Sequence, residues 1–163
     1  MINQNHTSNI AIKENGLKVE TLIEGEGKTP KVGDAVLIHY TLYLGTGVSS
    51  SLYDYDSGCY VDDLIDTTYG DHSFAGPIKI VIGSETQKDA LYTKGDSIKG
   101  LDEALLEMKV GSKSRLLIPP ELAYGPEGGS SFHTFHGYRT PPNRSLDMVV
   151  ELLEIKKFEE EDE

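Results

Sequence analysis

Strict alternation of apolar and polar positions marks two stretches of this chain. In residues 35–44, Val36, Ile38, Tyr40, Leu42 and Leu44 share one face. In residues 146–155, Leu146, Met148, Val150 and Leu152 do the same, while Asp147 and Glu151 take the opposite side. A period of two predicts β-strands buried on one face. Shorter strands are predicted at 17–22, closed by Glu24-Gly25-Glu26-Gly27, at 78–82 and at 113–118. One segment changes period: Leu101, Ala104, Leu105 and Met108 recur at i, i+3, i+4 and i+7 behind Gly100, which predicts a single short helix. Strands that outnumber the helix and are joined by loops rather than helical crossovers imply an α+β fold, a twisted antiparallel sheet wrapped around that helix.

Between residues 45 and 76 the pattern dissolves into Gly, Ser, Asp and Tyr, a connection much longer than those usual inside a compact domain. The chain therefore divides into a flexible lead-in at 1–15, a domain at 16–157 with insertions at about 46–64 and 127–139, and an acidic tail at 158–163.

At 163 residues one core suffices, and a second full domain is not expected. The formal charge of -12 argues against nucleic acid and anionic membranes as partners, since phosphate contacts need clustered Lys and Arg. The single Cys59 excludes an internal disulfide framework and cannot by itself complete a cysteine zinc site. No stretch is apolar enough to span a bilayer, and Met1-Ile2-Asn3-Gln4-Asn5-His6 lacks a secretion signal's basic start. The expectation is a soluble, cytoplasmic monomer, with an exported location left open in case a signal has been trimmed.

The order of motifs adds a family resemblance. Val32-Gly33-Asp34, His39-Tyr40-Thr41, Ile65-Asp66-Thr67-Thr68, Pro77-Ile78-Lys79-Ile80, Ile98-Lys99-Gly100-Leu101, Leu122-Ala123-Tyr124-Gly125 and Val150-Glu151-Leu152-Leu153 follow one another at workable spacing. Together they resemble the FKBP-type peptidyl-prolyl isomerases over roughly residues 16–155. The resemblance implies isomerisation of X-Pro bonds in unfolded or exposed segments, without a cofactor or metal. It implies proline-containing peptide or protein clients as partners, and macrolides as inhibitors.

By matched position the resemblance implies catalytic roles for Tyr40, Asp66 and Tyr124, and a substrate-binding lining of Ile65, Ile78, Ser97, Ile98, Leu101 and Met148. Leu101 would be the pocket floor, where the family usually has Trp, and Ile78 and Met148 the walls, where it usually has Phe. Ile98 would offer its backbone N–H and Tyr124 its hydroxyl, with Asp66 and Tyr40 completing the polar side. With Ile65, Ile78, Leu101 and Met148 all aliphatic, the pocket should be softer and less able to stack on a proline ring, and the activity weakened.

Plainer readings stand beside these. Ile78, Leu101 and Met148 also suit ordinary core packing, Tyr124 a turn anchor, and Asp66 a local Asx-type turn. A non-catalytic binding module or chaperone, recognising partners through its inserted loops, is the rival function. The run from Asp54 to Asp63 superficially suggests a calcium loop, but Gly58 comes too early and no Glu closes the window. His133 and His136 lack further ligands for a metal, and Phe132, Phe135 and Tyr138 form a candidate lip for extended segments. His39, opposite Tyr40 on its strand, is expected to face away from the core.

Overall fold

The structure, a computed structural model, describes residues 10–45, 53–54, 59–60, 64–70, 75–83, 97–130 and 139–156. Its strands are β1 (Ile10–Ile12), β2 (Lys18–Ile23), β3 (Ala35–Gly45), β4 (Tyr53–Asp54), β5 (Cys59–Tyr60), β6 (Leu64–Thr67), β7 (Ile78–Val81), β8 (Lys113–Ile118), β9 (Gly129–Ser130), β10 (Arg139–Thr140) and β11 (Ser145–Lys156). Among the described residues one α-helix, α1 (Lys99–Leu105), lies between β7 and β8, and two 3-10 turns follow β8 at Pro120–Leu122 and Gly125–Glu127. The main sheet is antiparallel in the order β1-β2-β8-β11-β3-β6, and β7 also pairs with β3. The α+β architecture expected from the hydrophobic pattern is the one observed.

The two strongly alternating segments form the sheet's central pair. Met148 lies opposite Leu42, Val150 opposite Tyr40 and Leu152 opposite Ile38, so both apolar faces turn the same way. None of these six side chains has any solvent exposure. Leu116 and Ile118 of β8 extend that surface, and Leu101, Ala104 and Leu105 of α1 pack against it. Fully burying one such aliphatic side chain is worth about 1.5–3 kcal/mol, so this face holds the domain together.

At seven residues α1 is too short to be stable alone, and it depends on this packing. Gly100 makes the contact possible. A Cβ there would stand 2.5 Å from Ile118 Cγ2 and 3.2 Å from the Leu122 carbonyl oxygen, so any larger residue would push the helix off the sheet. Gly100 thus sits inside the first turn rather than ahead of the helix as the periodicity suggested.

Two segments read as irregular carry strands. β1 falls in the lead-in expected at 1–15; its residues are all exposed, so backbone pairing with β2 forms it and no apolar pattern announces it. β6 falls in the stretch expected to be loop, because the side chain it aims inward is the carboxylate Asp66 rather than an apolar group.

Candidate active site

β3 and β6 place the first two candidate residues. Tyr40 sits in the middle of β3 with no exposure, and Asp66, on the neighbouring β6 opposite Leu42, is equally enclosed. The Tyr40 hydroxyl donates a hydrogen bond to Asp66 Oδ2. A buried carboxylate costs a great deal of hydration, and a hydroxyl donor is one of the few neutral groups that offset it.

Thr68 locks the two strands in this register. Its Oγ1 accepts the Tyr40 N–H at 2.9 Å, and its own N–H donates to the Tyr40 carbonyl at 3.0 Å. Oγ1 also lies 2.8 Å from Nδ1 of His39. On the outer side of β3, His39 stacks on Tyr69 with ring centroids 4.6 Å apart. The Tyr69 hydroxyl in turn donates to Glu151 Oε2 at 3.2 Å. His39 therefore lies opposite Tyr40 as expected, while Thr68 is a positioning residue that the sequence pattern did not single out.

Tyr124 comes from elsewhere in the chain. It follows the 3-10 turn Pro120–Leu122 and takes φ -98°, ψ 0°, ahead of the second turn. The residue is partly exposed, but its hydroxyl is enclosed and has no hydrogen-bond partner among the described residues. Burial raises the Tyr124 pKa above the ordinary tyrosine value, and the Asp66 charge raises it further. Tyr40 is raised by burial first, then by the charge of Asp66 and the hydrogen bond to it, with a smaller contribution from Tyr124. Tyr124 packs against the buried cluster that contains Tyr40, and Tyr40 is bonded to Asp66, so the three residues lie in one region.

The apolar candidates meet there too. Leu101 and Met148 have no exposure, Ile98 is 5% exposed, and all three belong to the cluster that contains Tyr40. Ile78 and Tyr124 pack against that cluster from its rim. Ile98 caps the start of α1 in extended geometry, and the buried Ser97 hydroxyl donates to the Ile98 carbonyl at 3.3 Å. The side chain of Ile65 lies outside the described residues, as do His133, His136, the lip at 132–138, most of the acidic stretch at 54–63 and the tail at 158–163.

A groove of about 420 Å³ opens at the other end of the helix, lined by Val19, Ala104, Met108 and Ser114 among others. It contains none of the candidate residues, and chemistry rather than volume identifies the site. Among the described residues, no group of three or more His, Cys, Asp or Glu is placed to hold a metal. Nor is any helix there long and apolar enough to cross a membrane.

Comparison with known proteins agrees with this fold. Residues 26–153 match the family model described as FKBP-type peptidyl-prolyl cis-trans isomerase. The chain is 36% identical over 143 residues to FK506-binding protein 1 of Candida glabrata, covering 87% of this chain and 95% of that protein. It is 31% identical over 142 residues to peptidyl-prolyl cis-trans isomerase FKBP1A of Xenopus laevis, covering 86% and 99%. The N-terminal domain of FKBP42 from Arabidopsis thaliana shares the fold, with a TM-score of 0.61 at 21% identity over 96% of this chain and 98% of that one. The chain belongs to the FKBP-type peptidyl-prolyl cis-trans isomerase family, a family of enzymes.

Proposed function

We propose that this chain accelerates cis–trans interconversion of X-Pro bonds in exposed peptide segments, at the site formed by Tyr40, Asp66, Ile98, Leu101, Tyr124 and Met148. The observation that carries the reading is the enclosed Tyr124 hydroxyl, with no partner among the described residues, near the buried Tyr40–Asp66 pair and an apolar floor.

The barrier to rotation about an X-Pro bond is about 18–20 kcal/mol because amide resonance must be broken. A twisted amide has lost that resonance, and its carbonyl oxygen carries less charge. A dry apolar surface therefore favours it over the planar amide. In this reading the prolyl ring lies on Leu101, Met148 and Ile78. The Tyr124 hydroxyl donates to a backbone carbonyl of the substrate and fixes one side of the chain. The N–H of Ile98, the extended residue that caps α1, fixes the other. Tyr40 and Asp66 form the polar wall. No proton moves and no covalent intermediate forms, so the reaction needs neither cofactor nor metal. The aliphatic floor lacks the flat face that an aromatic residue offers a proline ring, which predicts a slow member of the family.

Because relatives bear the name FK506-binding protein, the same site is where a macrolide inhibitor would bind. A monomer in the cytoplasm, acting on proline-containing clients, belongs to the same reading.

The rival is a non-catalytic binding module, and one observation favours it: Tyr40, Leu101 and Met148 have no exposure, so a prolyl ring reaching them must displace whatever covers them. A proline-isomerisation assay on short peptides separates the two. The enzyme reading expects acceleration that falls with Tyr124→Phe and Asp66→Ala. No acceleration by the wild type, or rates unchanged in both variants, would leave the binding module.

A further inference from the structure

We infer that Thr140 is a second substrate-contacting hydroxyl of this site, paired with Tyr124 to hold the backbone of an extended peptide beside its proline. The inference rests on the reading above, and it adds a residue that neither the motifs nor the matched positions supplied.

The argument begins at the ribbon β9–β10, the root of the second insertion. Thr140 lies directly opposite Gly129 in that ribbon. Residues facing one another across an antiparallel pair send their side chains to the same face, with Cβ atoms about 4.5–5.5 Å apart. A Cβ on Gly129 would stand 2.9 Å from Tyr124 Cδ1 and 3.5 Å from Cε1 and Cγ. That face of the ribbon is therefore the one pressed on the Tyr124 ring, and the Thr140 side chain shares it. Gly128 fixes the approach from the other strand: a Cβ there would stand 2.3 Å from the Thr140 carbonyl oxygen.

Thr140 is 2% exposed, and its Oγ1 has no hydrogen-bond partner among the described residues. The same holds for the Tyr124 hydroxyl. Enclosed hydroxyls are normally paired, because leaving one unpaired forfeits its hydration without return. Two of them flanking one ribbon face, both unpaired, form a pattern that a ligand would complete. An extended peptide presents a carbonyl and an N–H at every residue, and a hydroxyl serves either. Tyr124 takes a carbonyl next to the proline, and Thr140 takes a backbone group of the adjoining residue.

The test uses the full chain and a blocked tetrapeptide with a central Leu-Pro bond, measuring kcat/KM for isomerisation and Kd by NMR titration. Thr140→Val keeps the shape and removes the hydroxyl; it should weaken both quantities about threefold to tenfold, the worth of one net hydrogen bond. Thr140→Ser should recover most of that loss. The Val variant should melt no lower than the wild type, since it relieves an unpaired buried group. Unchanged kcat/KM and Kd in Thr140→Val overturn the inference. So does a lowered melting temperature accompanied by weaker binding that Ser does not recover, which marks a structural role. If the wild type binds the peptide without turning it over, the catalytic reading falls and Thr140 is judged on Kd alone. A wild type that neither binds nor turns over the peptide removes both.

Discussion

Tyr40 and Tyr124 are two buried phenols facing one carboxylate, and the fold treats them differently. Both are raised above the ordinary tyrosine pKa by burial and by Asp66. Yet the Tyr40 hydroxyl donates to Asp66, while the Tyr124 hydroxyl has no partner among the described residues. Tyr40 stands on the central strand, where Thr68 clamps its backbone from both sides. Tyr124 stands between two short turns, and the residue is partly exposed. In the proposed reading one hydroxyl serves the framework and the other the ligand. The substitutions below divide the two.

The largest effect should come from the surface both share. Leu101 has no exposure, and truncating such a side chain leaves a cavity that the sheet cannot collapse into. Leu101→Ala should lose about 2–5 kcal/mol in denaturant unfolding, with no difference in how it treats the two tyrosines. A loss below about 1 kcal/mol would mean the helix start is looser than its burial implies.

Tyr40→Phe should come next. It leaves buried Asp66 without the hydroxyl that now donates to it, and hydrogen bonds to charged groups are worth about 1.5–3 kcal/mol. The expected result is a destabilised domain. Tyr124→Phe should do the reverse: it removes an unpaired polar atom, leaves stability unchanged or slightly higher, and lowers the isomerisation rate by about tenfold, or about 1.4 kcal/mol of barrier. If Tyr124→Phe destabilises as much as Tyr40→Phe, the division between framework and ligand hydroxyl is wrong.

Alkaline titration reads the same pair differently. A tyrosine whose folded pKa is raised keeps its proton in the folded state at pH values where the unfolded chain releases it. Its contribution is therefore complete below the unfolded value of about 10 and is lost as pH rises above it, at about 1.4 kcal/mol per pH unit for each group. Urea unfolding measured from pH 8 to 11 should be flat at first and fall beyond about 10. Tyr124→Phe and Tyr40→Phe should each make the decline shallower. A decline equally steep in both variants would locate the alkaline sensitivity elsewhere. Below that range both phenols stay neutral, so neither should impose a pH dependence on the isomerisation rate near neutrality.

How much of this was legible in the sequence depends on what each element uses to hold itself. β3, β11 and β8 bury apolar faces, and their expected bounds lie within a residue of those observed; α1 buries its apolar stripe too, but it ends at Leu105, three residues before the last periodic position, Met108. β1 is held by backbone pairing and β6 presents a carboxylate inward, and neither leaves a hydrophobic signature. Within the site, the family resemblance singled out Tyr40, Asp66 and Tyr124, which the fold brings together. Thr68 and Thr140 escaped because their importance lies in register. Thr68 acts by facing the Tyr40 backbone and Thr140 by facing Gly129, and neither pairing can be read from local composition. The Thr140-Pro141-Pro142 sequence does carry one usable cue: Pro141 cannot donate to a ladder, so the ribbon must stop at Thr140.

The smallest effect expected is at Gly129, and it tests whether the ribbon positions the Tyr124 ring rather than merely passing it. An added methyl would begin 2.9 Å from Tyr124 Cδ1, too close for carbon atoms. The ring, hinged at its own Cα on a partly exposed residue, yields more readily than the ribbon, so stability should change little. The hydroxyl, carried at the far end of the ring, moves with it, and displacing a substrate-fixing group by a fraction of an ångström weakens catalysis. Gly129→Ala should therefore slow isomerisation about threefold, under 1 kcal/mol of barrier, with little change in melting temperature. The decisive comparison is the same substitution in a Tyr124→Phe background. With no hydroxyl left to misplace, the added methyl should cost nothing further. A threefold loss that persists there would mean the ribbon touches substrate through some group other than Tyr124.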